Sequence, residues 1–170
     1  MVGGRLLLMG SKAFKAAELP PQVAEKIDEA TARKMTVVVG EVPGACRLYQ
    51  DYLKSKSYGN VIVGHAKSIR YNAGGWKIMR YGDDVHERET NMIEDCDSAI
   101  IIWADNSGVI AENLELLKRL RKPTLIYEYS TKTNTSKADW LDPERTYDPY
   151  HQWKEYMRKQ KQHKKRRFQE

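Results

Sequence analysis

The strongest constraint in this chain is a recurrence: short runs of consecutive apolar residues, each ending at glycine or at a small polar turn. Leu6-Leu7-Leu8-Met9 stops at Gly10-Ser11, Met35-Thr36-Val37-Val38-Val39 at Gly40, and Val61-Ile62-Val63 at Gly64. Ser98-Ala99-Ile100-Ile101-Ile102-Trp103 runs into Ala104-Asp105-Asn106-Ser107-Gly108, and Thr124-Leu125-Ile126-Tyr127 follows Lys122-Pro123. A strand wetted on one face alternates apolar and polar residues, so unbroken apolar runs predict strands covered on both faces. Residues 20–30, 44–53, 83–94 and 109–120 lie between the runs and read as helices; Ile110, Asn113, Leu114 and Leu117 mark one face of the last. Strands alternating with helices imply right-handed crossovers, hence an α/β, Rossmann-like, doubly wound parallel sheet of about five strands.

The expected organisation is a nucleotide-binding domain over residues 1–129, a polar linker over 130–146 and a basic C-terminal helix or tail over 147–170. Residues 65–82 lack periodicity, contain Asn72-Ala73-Gly74-Gly75, and read as a long functional loop. The net charge of +6 belongs to the tail: residues 1–150 hold 21 basic and 21 acidic side chains, residues 151–170 hold 8 and 2. Lys164, Lys165, Arg166 and Arg167 are candidate nucleic-acid contacts, against the commoner alternative of a solvated charge run. Tyr150, Trp153 and Tyr156 have the spacing to dock the segment on the body or on a partner subunit.

Cys46 and Cys96 exclude a disulfide framework and read as free buried thiols. Apolar runs of about six residues are too short to span a membrane. Met1 is followed by Val2-Gly3-Gly4-Arg5 and four apolar residues, too few for a signal-peptide core, so a soluble cytoplasmic protein is expected. His65 and His86 have no ligand partners at metal-binding spacing; neither a metal nor a cofactor is implied.

In open parallel sheets, ligands bind beyond the carboxyl ends of the strands. Gly10-Ser11-Lys12, the segment from Gly40 to Gly44, Gly64-His65 and the segment from Asp105 to Gly108 all fall there. Each glycine either admits a phosphate to the backbone amides or simply makes a turn. The chain has no Gly-rich Lys-Ser/Thr P-loop and no G-x-G-x-x-G, which argues against ATPase and dinucleotide dehydrogenase chemistry.

The stretch His86-Glu87-Arg88, Met92, Asp97 and the apolar run to Trp103, then Gly108 and Glu112, resembles the signature of the Lonely Guy cytokinin-activating phosphoribohydrolases. Met9-Gly10-Ser11-Lys12 and Gly40-Glu41-Val42-Pro43-Gly44-Ala45 resemble glycine turns of the wider SLOG nucleotide-binding superfamily, which includes DNA-processing protein A. Ile69-Arg70-Tyr71-Asn72-Ala73-Gly74-Gly75-Trp76 resembles an Arg-x-Asn-x-Gly-x-Trp segment of uncharacterised bacterial and phage members. The resemblance covers residues 5–128 and implies a homodimer that takes a nucleotide-type small molecule. It also implies Gly10, Ser11, Lys12, Gly40, Gly44, Arg70, Asn72, Trp76, Asp105, Ser107 and Gly108 as ligand contacts. Here Trp103-Ala104-Asp105 replaces Pro-Gly-Gly, with one extra residue before Gly108, Val109 replaces Thr, and Glu89 replaces a Lys.

Glu112 and Arg88 are the catalytic candidates. A carboxylate four residues after Gly108 would sit in a first helical turn, where the dipole favours its charge; beside a sugar C1′ it would attack or stabilise an oxocarbenium-like transition state, and otherwise it is a solvated first-turn acid that suits the dipole equally well. The Gly-x-x-x-Glu spacing also resembles the nucleophile segment of nucleoside 2-deoxyribosyltransferases. Arg88 supplies a bidentate fork for phosphate or a base edge, or else an ion pair with Asp84. Trp76 and Trp103 either stack on a base or fill the core. These residues predict nucleotide binding with hydrolysis of an N-glycosidic bond; the alternatives are a non-catalytic nucleotide sensor or sequestering module, and a nucleic-acid-associated protein using the tail.

Overall fold

A computed structural model describes residues 4–169; the amino-terminal residues 1–3, on which the signal-peptide reading partly rests, and residue 170 of the tail lie outside them. The order is β1 (Arg5–Gly10), α1 (Pro21–Ala32), β2 (Thr36–Val39), α2 (Ala45–Ser55), β3 (Val61–His65), β4 (Lys77–Arg80), α3 (Val85–Asp95), β5 (Ser98–Ala104), α4 (Gly108–Arg119), β6 (Thr124–Ser130), β7 (Thr135–Trp140) and α5 (His151–Gln169). One sheet runs β4-β3-β2-β1-β5-β6-β7, parallel except where β7 turns back antiparallel on β6.

The unbroken apolar runs are explained by two cores. Leu6 and Leu8 of β1, with Val37, Val39, Ile100 and Ile102, pack under Val23 and Ile27 of α1 and Tyr49 and Leu53 of α2. Leu7 and Met9, with Val38 and Ile101, pack on the opposite face under Met92 and Ile93 of α3 and Ile110, Leu114 and Leu117 of α4. Each fully buried aliphatic side chain stabilises the fold by about 1.5–3 kcal/mol relative to exposure. Cys46 and Cys96 are free and buried, and burial pushes both thiols up to about 12.

The sheet has seven strands rather than the expected five. β4 lies inside the segment expected as a loop, and β7 inside the segment expected as a polar linker. Both are edge strands whose side chains are mostly exposed, held by backbone pairing, so they carry no apolar pattern. Their charges, Lys77, Arg80, Lys137 and Asp139, also discourage pairing with another chain.

From β1 the chain winds outward through β2, β3 and β4, then returns by α3 to β5 on the other side of β1. The strand order therefore reverses between β1 and β5, opening a crevice at their carboxyl ends. Ser11 stitches this point. Its amide donates to Ile102 O at 2.9 Å, and its Oγ accepts from Ala104 N at 2.9 Å.

The glycines at this edge serve packing. A Cβ at Gly10 would stand 2.5 Å from Ala45 Cβ. Gly44 has φ +88°, and a Cβ there would overlap the carbonyl of Lys12. Gly44→Ala is therefore expected to lower stability by about 2–4 kcal/mol in chemical denaturation. Gly75→Ala, at φ +61° with open space around it, is expected to lower it by only about 1 kcal/mol.

Candidate functional site

The crevice between β1 and β5 holds a cavity of about 200 Å³ lined by Gly10, Lys12, Val42, Arg70, Val85, Arg88, Glu89, Ser107, Val109 and Ile110. Gly10, Lys12, Arg70, Arg88 and Ser107 of the expected site residues meet here. α4 begins at Gly108 with Ser107 as its N-cap and no side-chain cap hydrogen bond. Its first-turn amides and positive dipole end thus remain open to an anion. The turn before it has Asp105 and Asn106 at φ 51° and 52°, so two consecutive left-handed residues persist where no glycine stands.

Beneath the cavity lies a buried charge network centred on Glu41, 1% exposed. Its carboxylate accepts from Arg70 N and Nε at 3.0 Å each, from Arg70 Nη2 at 3.3 Å and from Arg88 Nη1 at 2.7 Å. Arg88 is itself buried, lies 3.6 Å from Glu89, and keeps its Nε without a partner among the described residues. The ion pair weighed with Asp84 does not form: the Asp84 side chain caps α3 by accepting from Glu87 N at 2.8 Å. Glu89 accepts from Asn113 Nδ2 at 2.8 Å, and burial raises its carboxyl above the ordinary range against the opposing influence of Asn113 and Arg88. Glu41, Glu89 and Asn113, present in the sequence motifs or on the α4 face but without a role among the expected ligand contacts, complete this network. The available signals were an acid directly after the glycine ending β2 and a polar residue on the apolar face of α4.

Glu112 is not in this cavity. It is the fifth residue of α4, past the first turn, and its carboxylate pairs with Arg158 of α5 and lies 3.9 Å from His86 Nδ1. The two catalytic candidates thus belong to different ion-pair systems. Asp105 is engaged by the turn after β6, accepting from Thr131 N at 2.8 Å and Thr131 Oγ1 at 2.9 Å. Asn72 clamps Trp76, donating to its carbonyl and accepting from its amide at 3.0 Å each. The Trp76 indole donates to Tyr58 O at 2.9 Å, so both residues hold their own loop and neither lines the cavity. Gln50 ties that loop down, donating to Gly40 O at 2.8 Å and Tyr71 O at 3.1 Å and accepting from Ala73 N at 2.9 Å. Trp103 is buried against Tyr147, with its indole N–H on Ser107 O. Gly40 faces Cys46, and Gly108 lies near Lys154.

Wider concavities exist beside this one. One of about 380 Å³ lies along β5, β6 and β7, and one of about 390 Å³ lies between α4 and the start of α5. The smaller cavity is the one that lies at the β1–β5 switch point and brings Lys12, Arg70 and Arg88 together. Among the described residues no group of three His, Cys, Asp or Glu is placed to hold a metal ion, and no helix is long and apolar enough to cross a membrane.

The raised Glu89 carboxyl has a consequence for stability. A group whose folded pKa exceeds its unfolded value stabilises fully below the unfolded pKa, and that share is lost as pH rises through the folded one. Glu89→Gln is therefore expected to lose less stability than the wild type as pH rises from about 4.5 towards neutrality. Urea denaturation at a series of pH values tests this; parallel pH profiles for the two proteins would contradict it.

No family model matches the chain, and no curated protein matches it. Among solved structures, it is similar to DNA processing protein A from Helicobacter pylori, with a TM-score of 0.53 and 15% identity over 72% of this chain. The chain spans 64% of the length of that protein, whose structure was described for its single-stranded DNA binding mode. The likeness is one of fold: this chain has a Rossmann-type α/β fold like that of DNA processing protein A, in agreement at that level with the SLOG expectation.

Proposed function

We propose that the protein binds a nucleotide or nucleotide-derived anion in the β1–β5 crevice and does so without cleaving it. One observation carries the reading. Lys12, which makes no ion pair among the described residues, lines the same small cavity as the uncapped start of α4 and the buried Arg88 with its partnerless Nε. A phosphate there would accept from backbone amides and Lys12, while Arg70 and Arg88 supply field from behind. The structural neighbour was described for binding single-stranded DNA, a polymer of the same phosphate, sugar and base units.

The non-catalytic form of the reading is favoured by Glu112. An acid that must act at a sugar C1′ needs to reach it, and this one lies outside the cavity and is paired with Arg158. Calorimetric titration with a panel of nucleoside monophosphates, together with chromatography for free base, tests the proposal. Expected are binding without base release, a loss of about tenfold in affinity (about 1.4 kcal/mol) for Lys12→Ala, and unchanged binding for Glu112→Gln. Base release abolished by Glu112→Gln would replace the sensor reading with the phosphoribohydrolase one. No binding of any member would overturn both.

A further inference from the structure

The start of α5 is fixed to the body. Glu115 accepts from Tyr147 N at 2.6 Å and Asp148 N at 3.1 Å, and also pairs with Lys118 at 2.7 Å. Although burial alone would raise the Glu115 carboxyl, these donors outweigh it and hold it below the ordinary value. Asp148 accepts from Tyr150 N at 3.0 Å and pairs with Lys154 at 2.9 Å. One helical face then rests against the protein: His151, Lys154, Glu155 and Arg158 are partly covered, with Glu155 3.5 Å from Arg119 and Arg158 on Glu112.

The opposite face is left in water. Tyr150, Trp153, Tyr156 and Met157 are 66%, 62%, 59% and 42% exposed, so of the two docking places weighed for the aromatic residues, the body and a partner subunit, the body is not the one used. Seven residues further along the same face stand Gln160, Lys164 and, beyond, Arg167. Lys159, Lys161, Lys164, Lys165, Arg166 and Arg167 are exposed and make no ion pair among the described residues. From Trp153 to Arg167 the helix is about 21 Å long. It offers rings at one end and cations at the other.

We infer that this outer face of α5 is a binding surface for single-stranded nucleic acid, with the bases of the strand stacking on Trp153 and Tyr156 and its phosphates on Lys164, Arg167 and their neighbours. Every base has a π-face, so aromatic stacking is sequence-tolerant; it needs unstacked bases, which a duplex does not offer. Charge separates this partner from the others. A membrane-surface helix needs an apolar stripe along its length, whereas this face turns cationic after Met157. A parallel two-fold contact between copies would set the same unpaired cations against each other, and self-association in any other orientation is read by the sedimentation arm of the test.

The test uses the full chain and a fluorescent oligothymidylate, with duplex DNA, anionic phospholipid vesicles and the protein alone in sedimentation as the other arms. The expected result is salt-sensitive binding of the single strand in preference to the duplex. The double variant Trp153→Ala/Tyr156→Ala, at exposed positions, should weaken it at least tenfold. Lys164→Ala/Arg167→Ala should flatten the dependence of log affinity on log salt by about 1.4, the value for two lost phosphate contacts. Equal affinity for duplex, an unchanged affinity in the aromatic variant, or no binding at low salt would each overturn the inference. So would vesicle binding or self-association that disappears with the aromatic rings while oligothymidylate binding persists.

Discussion

The site is organised by a single carboxylate. Glu41 sits where β2 ends, is almost wholly withdrawn from water, and is held by two guanidinium groups and the Arg70 backbone amide. Arg70 brings with it the loop that follows β3, and Arg88 brings α3. Through Glu89 and Asn113 the chain of contacts continues to α4, and Asn113 reaches Met9 of β1 at 3.2 Å. Four segments that approach the sheet edge from different directions are thereby set in one geometry. A buried ion pair contributes little net stability against an apolar replacement, but losing one partner leaves a buried charge uncompensated and costs about 3–5 kcal/mol. The network's value therefore lies in where it holds the loops.

That arrangement explains why the cavity is not a basic groove. Arg70 and Arg88 are balanced by Glu41 and Glu89. The surplus positive character comes from Lys12 and from the unsatisfied amides at the start of α4. Anion recognition by fixed backbone dipoles at a helix start is short-ranged and directional, which suits one phosphate group better than a polymer. The diffuse, long-range charge lies instead on α5, over residues whose removal leaves both cores intact. A compact phosphate site and an extended cationic face are thus separate features.

The central five strands and the helices could be read in the sequence because burial on both faces writes itself as unbroken apolar runs, as in Ile100-Ile101-Ile102. β4 and β7 could not, since Lys77-Ile78-Met79-Arg80 and Thr135 to Trp140 owe their place to main-chain pairing. At the candidate site, the sequence pointed to the carboxyl edge of the sheet and to Lys12, Arg70, Arg88 and Ser107, which line one cavity there. It did not show that Asn72 and Trp76 satisfy each other, or that Asp105 holds the turn after β6. Nor did it show that Glu112 is covered from a helix 46 positions along the chain. Those outcomes depend on partners that only the folded chain supplies.

A crystal structure of the protein soaked with adenosine monophosphate would show where the crevice holds a phosphate. Phosphate density is expected over the first-turn amides of α4, within hydrogen-bonding reach of Lys12, with the Glu41, Arg70 and Arg88 contacts unchanged. Phosphate seated in the concavity along β5, β6 and β7, or a base bound with its sugar against Glu112 and Arg158 displaced, would contradict this placement.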